Sequence, residues 1–232
     1  MSLFAIGDIH GCATALDVLL NAIALQPGDR LITLGDYCNK GQETKAVFDR
    51  LIQLDRRGLL IPIRGNHELR FLQAMALQQI QIADQTLLDA ATLWSYGQGN
   101  QFGELADIPD AHLRFVRDYC WDWYETEYHI FVHATVRPHK PMAQQPPEAL
   151  FWNKLTDPQP HQSGKTVICG HTPQKTGRPL NLGHVICLDT AAADGQWLTC
   201  LQVDSGRIWQ ANQQGDLQTS WIYSHPKQLV KA

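Results

Sequence analysis

The sequence has no long apolar run, no closely spaced cysteine pair and no excess of basic residues. Its most apolar early segment, residues 13–25, is short and interrupted by Asp17 and Asn21, which predicts an amphipathic helix and not a membrane span. The N-terminus carries neither a positively charged region nor a cleavage site ahead of its first polar motif. We therefore expect a cytoplasmic protein with no membrane partner.

The six cysteines are spread along the chain and never form a Cys-x-x-Cys pair. This spacing is not that of a disulfide framework or a zinc knuckle, so we expect buried, reduced thiols. Cys38 and Cys169 each lie beside a candidate metal ligand, where oxidation would be inhibitory if the thiol were reactive.

Acidic residues slightly outnumber basic ones, with 23 Asp and Glu against 19 Lys and Arg and a net charge of −4. Such a chain has no general positive field to attract nucleic acid, so any affinity for phosphate must come from a local site. The length of 232 residues, without an internal repeat or a long linker, predicts a single domain over residues 1–232. We expect that domain to be a monomer.

Apolar β-type runs alternate with segments of helical periodicity, which predicts an α/β domain. Helices are expected over residues 13–25, 42–57 and 68–80, with Gly58 ending the second. The third should bury a stripe of Leu69, Leu72, Met75, Ala76 and Ile80. Loops are expected over residues 94–102 and 136–147, the latter either a rim over a site or a plain surface loop. The strands are expected over residues 3–7, 30–34, 59–64, 128–132, 166–170, 184–188 and 197–203.

Five of the predicted strands end in polar residues of the types that bind metal ions. Side chains two apart on a strand share a face, so Asp8 and His10 can converge on one ion. Asp36 lies at the end of the second strand, where open α/β sheets bind ligands. The remaining three ends carry Asn66 with His67, His133 and His171. His184 precedes another strand and is a weaker ligand candidate.

A lone histidine is more often structural than a ligand, but five such strand ends in succession indicate a shared site. A mixed set of Asp, His and Asn without thiolate suits Mn²⁺, with Fe or Zn²⁺ as alternatives. Two such ions would orient a phosphoryl group and activate a water for in-line attack. The pattern therefore predicts two divalent ions and hydrolysis without a covalent intermediate.

These motifs resemble those of the phosphoprotein phosphatase family of calcineurin-like metallophosphoesterases. The Gly-Asp-x-His-Gly, Gly-Asp-x-x-Asp-Arg-Gly, Gly-Asn-His-Glu, His-Ala and Gly-His-Thr motifs of that family correspond to residues 7–11, 35–41, 65–68, 133–134 and 170–172. The resemblance is greatest to short bacterial and phage serine/threonine phosphatases. It implies a four-layer β-sandwich of two mixed sheets flanked by helices. It also implies a first ion held by Asp8, His10 and Asp36, and a second held by Asp36, Asn66, His133 and His171.

The same resemblance implies roles for the residues around the ions. His67 would be the general acid that protonates the leaving oxygen, and Arg64 would bind phosphate. The family's second motif has an aspartate that orients this histidine and an arginine that binds phosphate, where this chain has Asn39 and Lys40. Lys154 corresponds to a further family arginine. An amide lacks the charge that favours imidazolium, and a lysine lacks the planar fork of arginine.

Two interpretations of these departures remain open at the level of sequence. The favoured one is an active metallophosphatase that acts on a phosphorylated protein or a small phosphoester, most closely a serine/threonine phosphatase. The alternative within the same chemistry is a hydrolase of dinucleoside polyphosphates. The alternative of another class is a weakly active phosphate-binding module, in which Asn39 and Lys40 mark lost catalysis.

Overall fold

Strands alternate with helices in the first third of the chain. The computed structural model describes residues 1–222. The predicted strands and helices of this part are confirmed within a few residues at each end, and Gly58 follows the second helix with a φ of +66°. The elements are β1 (Leu3–Ile6), α1 (Ala13–Ile23), β2 (Arg30–Thr33), α2 (Thr44–Arg56), β3 (Leu60–Pro62) and α3 (Asn66–Leu77).

The rest of the chain is rich in strands, and its helices are short. The loop predicted over residues 94–102 is partly wrong, because a helix capped by the Asp89 carboxylate continues to Tyr96. A π-helical turn over Phe115–Tyr119 extends α5. The elements are β4 (Gln81–Ile82), β5 (Gln85–Thr86), α4 (Ala90–Tyr96), α5 (Asp110–Arg114), β6 (Trp123–Glu125), β7 (His129–Val132), α6 (Pro147–Phe151), β8 (Thr166–Cys169), β9 (Leu180–Asn181), β10 (Val185–Cys187), β11 (Leu198–Gln202), β12 (Arg207–Ala211) and β13 (Leu217–Trp221).

The strands form two mixed sheets, together with a small β4-β5 hairpin. The first sheet has the order β13-β12-β11-β1-β2-β3, in which β1, β2 and β3 are parallel and the other pairs are antiparallel. The second has the order β6-β7-β8-β10-β9, in which β7, β8 and β10 are parallel. The carboxyl ends of the parallel strands carry the predicted ligands, so the topology brings the motifs together.

The hydrophobic core has three parts, because alternate side chains of each strand point to opposite faces of its sheet. Ala5, Ile32, Phe131 and Ile168 pack between the two sheets. Their neighbours along β1 and β2 pack against α1 and α2, and their neighbours along β7 and β8 pack against α6. The order helix, sheet, sheet, helix confirms the predicted four-layer sandwich. Within residues 1–222, every helix is too short or too polar to span a lipid bilayer.

The buried face of α3 differs from the predicted stripe. Phe71 and Ala74 are buried, whereas Ala76 is exposed and Ile80 lies beyond the helix end with 42% of its surface exposed. Leu69, Leu72 and Met75 are only partly buried. The physical reason is Glu68, which is completely buried and fixes the rotation of the helix through hydrogen bonds to the loop after β2.

Candidate metal centre

The six predicted metal ligands lie together at one end of the sandwich. Five of them line a cavity of about 320 Å³, and the sixth, His133, is fully buried beside the cavity. The loop over residues 136–147, all of which are described, contributes no lining residue, so this segment is not a rim over the cavity. The cavity is lined by Asp8, His10, Asp36, Lys40, Asn66, His67, Arg70, Trp152, Lys154, His171, Pro173 and Asp189.

Asp36 lies between two histidines that come from different sheets. Its Oδ2 is 3.4 Å from His10 Nε2, and its Oδ1 is 3.4 Å from His133 Nε2. One carboxylate therefore presents an oxygen to each half of the cluster. This is the arrangement that a ligand bridging two ions requires.

The protonation of His133 and His171 follows from their carbonyl partners. His133 Nδ1 is 2.8 Å from the Leu34 carbonyl oxygen, and His171 Nε2 is 3.0 Å from that of Trp152. A carbonyl only accepts, so these ring nitrogens donate and the other two nitrogens carry lone pairs. The two lone-pair nitrogens face each other, with 3.1 Å between His133 Nε2 and His171 Nδ1. The Asn66 Oδ1 atom, also an acceptor, is 2.9 Å from His133 Nε2.

His10 is fixed in the same way. Its Nδ1 donates to the Cys38 carbonyl at 2.9 Å, which leaves the Nε2 lone pair toward Asp36. Burial lowers the pKa of His10, His133 and His171 to about 3, so the imidazoles are neutral near pH 7. Neutral imidazole is the form that binds metal ions.

Carboxylates supply the negative charge on the other side of the cavity. Asp8 accepts from the His171 backbone amide at 3.1 Å. Burial, with repulsion from Asp189 and Asp36, raises the pKa of Asp8 well above its usual range. Burial, opposed by the hydrogen bond from the His67 amide and by Lys40, raises the pKa of Asp36 to about 7. A bound cation would lower the pKa.

Asp189 is a site residue that sequence reasoning missed. It is buried, lines the cavity and follows β10. A strand is predicted over residues 184–188, and Asp189 follows it directly. It therefore meets the criterion used for the other five strand ends, a metal-binding residue type directly after a predicted strand. Its carboxylate accepts from the Ala191 amide at 3.1 Å and lies close enough to Asp8 to raise that residue's pKa.

Close backbone packing holds the ligands in place. A Cβ on Gly170 would lie 2.0 Å from Asp8 Oδ1, and one on Gly65 would lie 2.3 Å from Asp36 Oδ1. Only glycine fits at these two positions. His10, Asp36 and His171 have φ values of 43°, 52° and 62°, in the left-handed region that non-glycine residues rarely adopt. Such backbone strain concentrates at functional sites.

Glu68 connects the second and third motifs. Its Oε2 accepts from the Asp36 and Gly65 amides at 2.7 and 2.9 Å, and its Oε1 accepts from the Tyr37 amide at 2.7 Å. Burial and the neighbouring Asp36 raise the pKa of Glu68 to about 7. The residue positions Asp36 without itself lining the cavity.

The candidate general acid His67 lies at the edge of the cluster. Its Nε2 is 3.8 Å from Asp36 Oδ2, and its Nδ1 is 2.8 Å from Asn39 Nδ2. Burial, with the nearby His10 and Arg70, strongly lowers the pKa of His67.

Two of the three predicted phosphate-binding residues reach the cavity. Lys40 Nζ lies 2.9 Å from His10 Nε2, and Lys154 donates to the His171 carbonyl. The structure does not bring Arg64 to the cluster. Its guanidinium donates to the Cys120 carbonyl at 2.9 Å and lines a separate cavity beside β3. The weaker candidate His184 also lies elsewhere, donating to the backbone of residue 158.

All six cysteines are free and buried. Burial raises the pKa of the Cys38 thiol well above its usual range. The pKa of the Cys169 thiol is raised by a hydrogen bond with its neighbour Cys187 and by burial. Both are therefore poor nucleophiles despite their position beside candidate ligands.

The donor set fits a pair of divalent cations. Lone pairs of three neutral histidines converge with carboxylate oxygens and one amide oxygen. Lys40 Nζ lies beside His10 Nε2, but His133 Nε2, His171 Nδ1 and Asn66 Oδ1 meet with no donor among them, which is repulsive unless a cation lies there. Each of these histidines also donates its second ring nitrogen to a backbone carbonyl, as metal-binding histidines do. Two overlapping groups share Asp36, one with His10 and His67 and one with His133 and His171.

Comparison with known proteins agrees with this geometry. The chain is 41% identical over 75 residues to the symmetrical bis(5′-nucleosyl)-tetraphosphatase of Acidovorax sp. (strain JS42), covering 32% of this chain and 26% of that protein. It is 31% identical over 147 residues to the protein of the same name from Janthinobacterium sp. (strain Marseille), covering 62% and 47%. The matches thus span less than half the length of these relatives.

Solved structures show the same fold at low sequence identity. A crystal structure described as a putative diadenosine tetraphosphatase superposes with a TM-score of 0.64 at 19% identity, covering 96% of this chain and 94% of that one. The sequence profile of the calcineurin-like phosphoesterases matches residues 1–194, which include all six predicted ligands and Asp189. The chain therefore belongs to the calcineurin-like phosphoesterase family.

Proposed function

We propose that this chain is a metal-dependent hydrolase in which water attacks a phosphorus atom directly. The observation that carries the proposal is the position of Asp36, with one carboxylate oxygen toward His10 and the other toward His133. An isolated structural histidine would not explain two lone-pair imidazoles directed at one buried carboxylate.

The chain's own residues divide into two ligand sets. Asp8, His10 and Asp36 would hold one ion, and Asp36, Asn66, His133 and His171 the other. Bound divalent ions, Mn²⁺ first and Fe or Zn²⁺ as alternatives, would supply Lewis acidity and lower the pKa of water. Asp189, beside Asp8, adds negative charge at the first set.

Residues around the ligand sets would bind and protonate the substrate. Lys40 and Lys154 place two positive charges in the cavity, where phosphate oxygens would bind. His67 is positioned by Asn39 to donate a proton from Nε2 to the leaving oxygen. The cavity thus offers anion binding and a proton donor beside the same cluster.

For the substrate we propose a dinucleoside polyphosphate in preference to a phosphorylated protein. The similarity to symmetrical bis(5′-nucleosyl)-tetraphosphatases supports this choice. It reverses the order expected from the motifs, which placed the serine/threonine phosphatase first. The motifs alone did not separate the two, because both classes share the site and differ in surrounding loops.

A substrate panel on the purified, Mn²⁺-loaded chain tests the proposal. Turnover of p-nitrophenyl phosphate or of diadenosine tetraphosphate, abolished in Asp36→Asn, is expected of a hydrolase. The absence of both activities under all metal conditions would identify a binding module instead. A higher kcat/KM for diadenosine tetraphosphate than for phosphoserine and phosphothreonine peptides is expected of the proposed substrate class. The opposite order would restore the protein phosphatase.

A further inference from the structure

We infer that Arg70 is a specificity-determining residue that binds the phosphate next to the one attacked, so that the site is built for phosphoanhydrides. The inference rests on the proposed hydrolase function. It is not a role assigned by any of the five motifs, in which position 70 has no part.

The surroundings of Arg70 leave it free to bind an anion. Its Nε is buried and has no hydrogen-bond partner within residues 1–222. Its guanidinium carbon lies 5.3 Å from the centre of the Trp152 ring, and both side chains line the cavity. Stacking on an aromatic ring holds a guanidinium in one plane while its edge stays available for a bidentate contact.

The other two cations of the cavity are lysines that lie beside the predicted metal ligands. Lys40 Nζ contacts His10, and Lys154 Nζ donates to the His171 carbonyl. Lysine is also a point charge, whereas arginine binds two phosphate oxygens at once. Arg70 therefore supplies the planar fork that this chain lacks at position 40.

The position of Arg70 on α3 indicates which phosphate it binds. It follows His67 by three residues, and residues three apart on a helix are neighbours on one face. Since His67 is the candidate proton donor to the leaving oxygen, Arg70 lies on the leaving-group side. When a phosphoanhydride is hydrolysed, water bonds to the attacked phosphorus and the P–O bond to the next phosphate breaks. His67 would protonate the bridging oxygen, and the phosphate that departs remains an anion through its other oxygens. An alcohol leaving group offers Arg70 no such anion.

The test compares Arg70→Met with Arg207→Met, using inorganic pyrophosphate and inorganic phosphate as calorimetric ligands of the Mn²⁺-loaded chain. Arg207 is the matched control because it stacks on Trp209 at 4.6 Å on β12, outside the cavity. We expect R70M to weaken pyrophosphate binding about 10- to 100-fold and phosphate binding less than about threefold. R207M should alter neither, and Arg70→Lys should give an intermediate loss.

Kinetics distinguish failure of this inference from failure of the proposed function. R70M should lower kcat/KM for diadenosine tetraphosphate at least about 10-fold more than it lowers kcat/KM for p-nitrophenyl phosphate. Equal losses for both ligands and both substrates, or no loss, would overturn the role of Arg70 and leave the hydrolase intact. A wild-type chain that turns over neither substrate would instead refute the proposed function.

Discussion

Asn39 donates a hydrogen bond to His67 where an aspartate would accept one. Asn39 Nδ2 is 2.8 Å from His67 Nδ1, and Asn39 Oδ1 accepts from the Asp89 amide at 3.0 Å. A backbone amide only donates, so the side-chain amide cannot be reversed without losing that bond. His67 therefore carries its proton on Nε2, toward the cluster, as a neutral imidazole.

Asn39→Asp is expected to turn His67 into a stronger proton reservoir. A carboxylate at this position would accept from Nδ1–H and favour imidazolium, which raises the pKa of His67. The protonated fraction near pH 7 then increases, so the acid-dependent activity should extend to higher pH. We expect about a 10-fold gain at neutral pH for substrates with alkyl leaving groups, measured as a pH–rate profile.

The same profile with p-nitrophenyl phosphate is the control, because its good leaving group needs little protonation. The Leu87 carbonyl, which now accepts from Asn39 Nδ2 at 3.1 Å, would lose its donor, so thermal stability should fall slightly. Identical rates for both proteins across the whole pH range would contradict the role of position 39.

Glu68→Ala is expected to destabilise the metal-free protein strongly. The substitution leaves three buried backbone amides, those of Asp36, Tyr37 and Gly65, without their acceptor. We expect the free energy of unfolding to fall by about 3 kcal/mol or more, measured by urea denaturation. Glu125→Ala, which removes a surface ion pair with Lys165, should cost about 1 kcal/mol or less. A small effect at position 68 would mean that the amides find other partners.

Gly170→Ala is expected to lower activity about 100-fold while the fold survives. The new Cβ would lie 2.0 Å from Asp8 Oδ1, so Asp8 must move. A ligand displaced by about 1 Å can cost about 100-fold in rate, which a kcat measurement would detect. Gly164→Ala serves as the control, because a Cβ there meets nothing within 4 Å. Its only expected effect is the backbone strain of an alanine at positive φ. Comparable activity in the two variants would show that Asp8 is not a required ligand.

Metal binding is expected to release protons near pH 7, and the protons should come from carboxyl groups. The pKa of Asp36 is raised to about 7, so a cation that binds its ionised form displaces protons there. His10 and His133, with pKa values of about 3, are already neutral and contribute none. Apparent affinity should therefore rise from about pH 6 to pH 8. Calorimetry in buffers of different ionisation enthalpy measures this release, and a pH-independent affinity would argue against carboxylate ligands.

Much of the fold and most of the site follow from local sequence. Strand periodicity located all seven predicted strands, and a polar residue after a parallel strand must emerge at the carboxyl edge of the sheet. This local logic brought Asp8, Asp36 and His171 together although they are far apart in sequence. Applied once more, it would have found Asp189.

Features that depend on distant packing could not be predicted. The direction of Arg64 is decided by the backbone of residues 117–120, which accepts from its guanidinium. The role of Arg70 requires Trp152, which no local pattern connects to α3. The rotation of α3 was mispredicted because apolar periodicity gives no weight to a buried, hydrogen-bonded Glu68.

The number of metal ions bound per chain tests the central claim most directly. After equilibration with Mn²⁺ and removal of free metal, elemental analysis of the wild-type protein should give two ions per chain. Asp36 belongs to both proposed ligand sets, so Asp36→Asn should weaken the binding of both ions. His133 belongs to one set, so His133→Ala should lose that ion and keep the ion bound with His10. A chain that binds no transition metal, or one whose metal content is unchanged in both variants, would contradict the account.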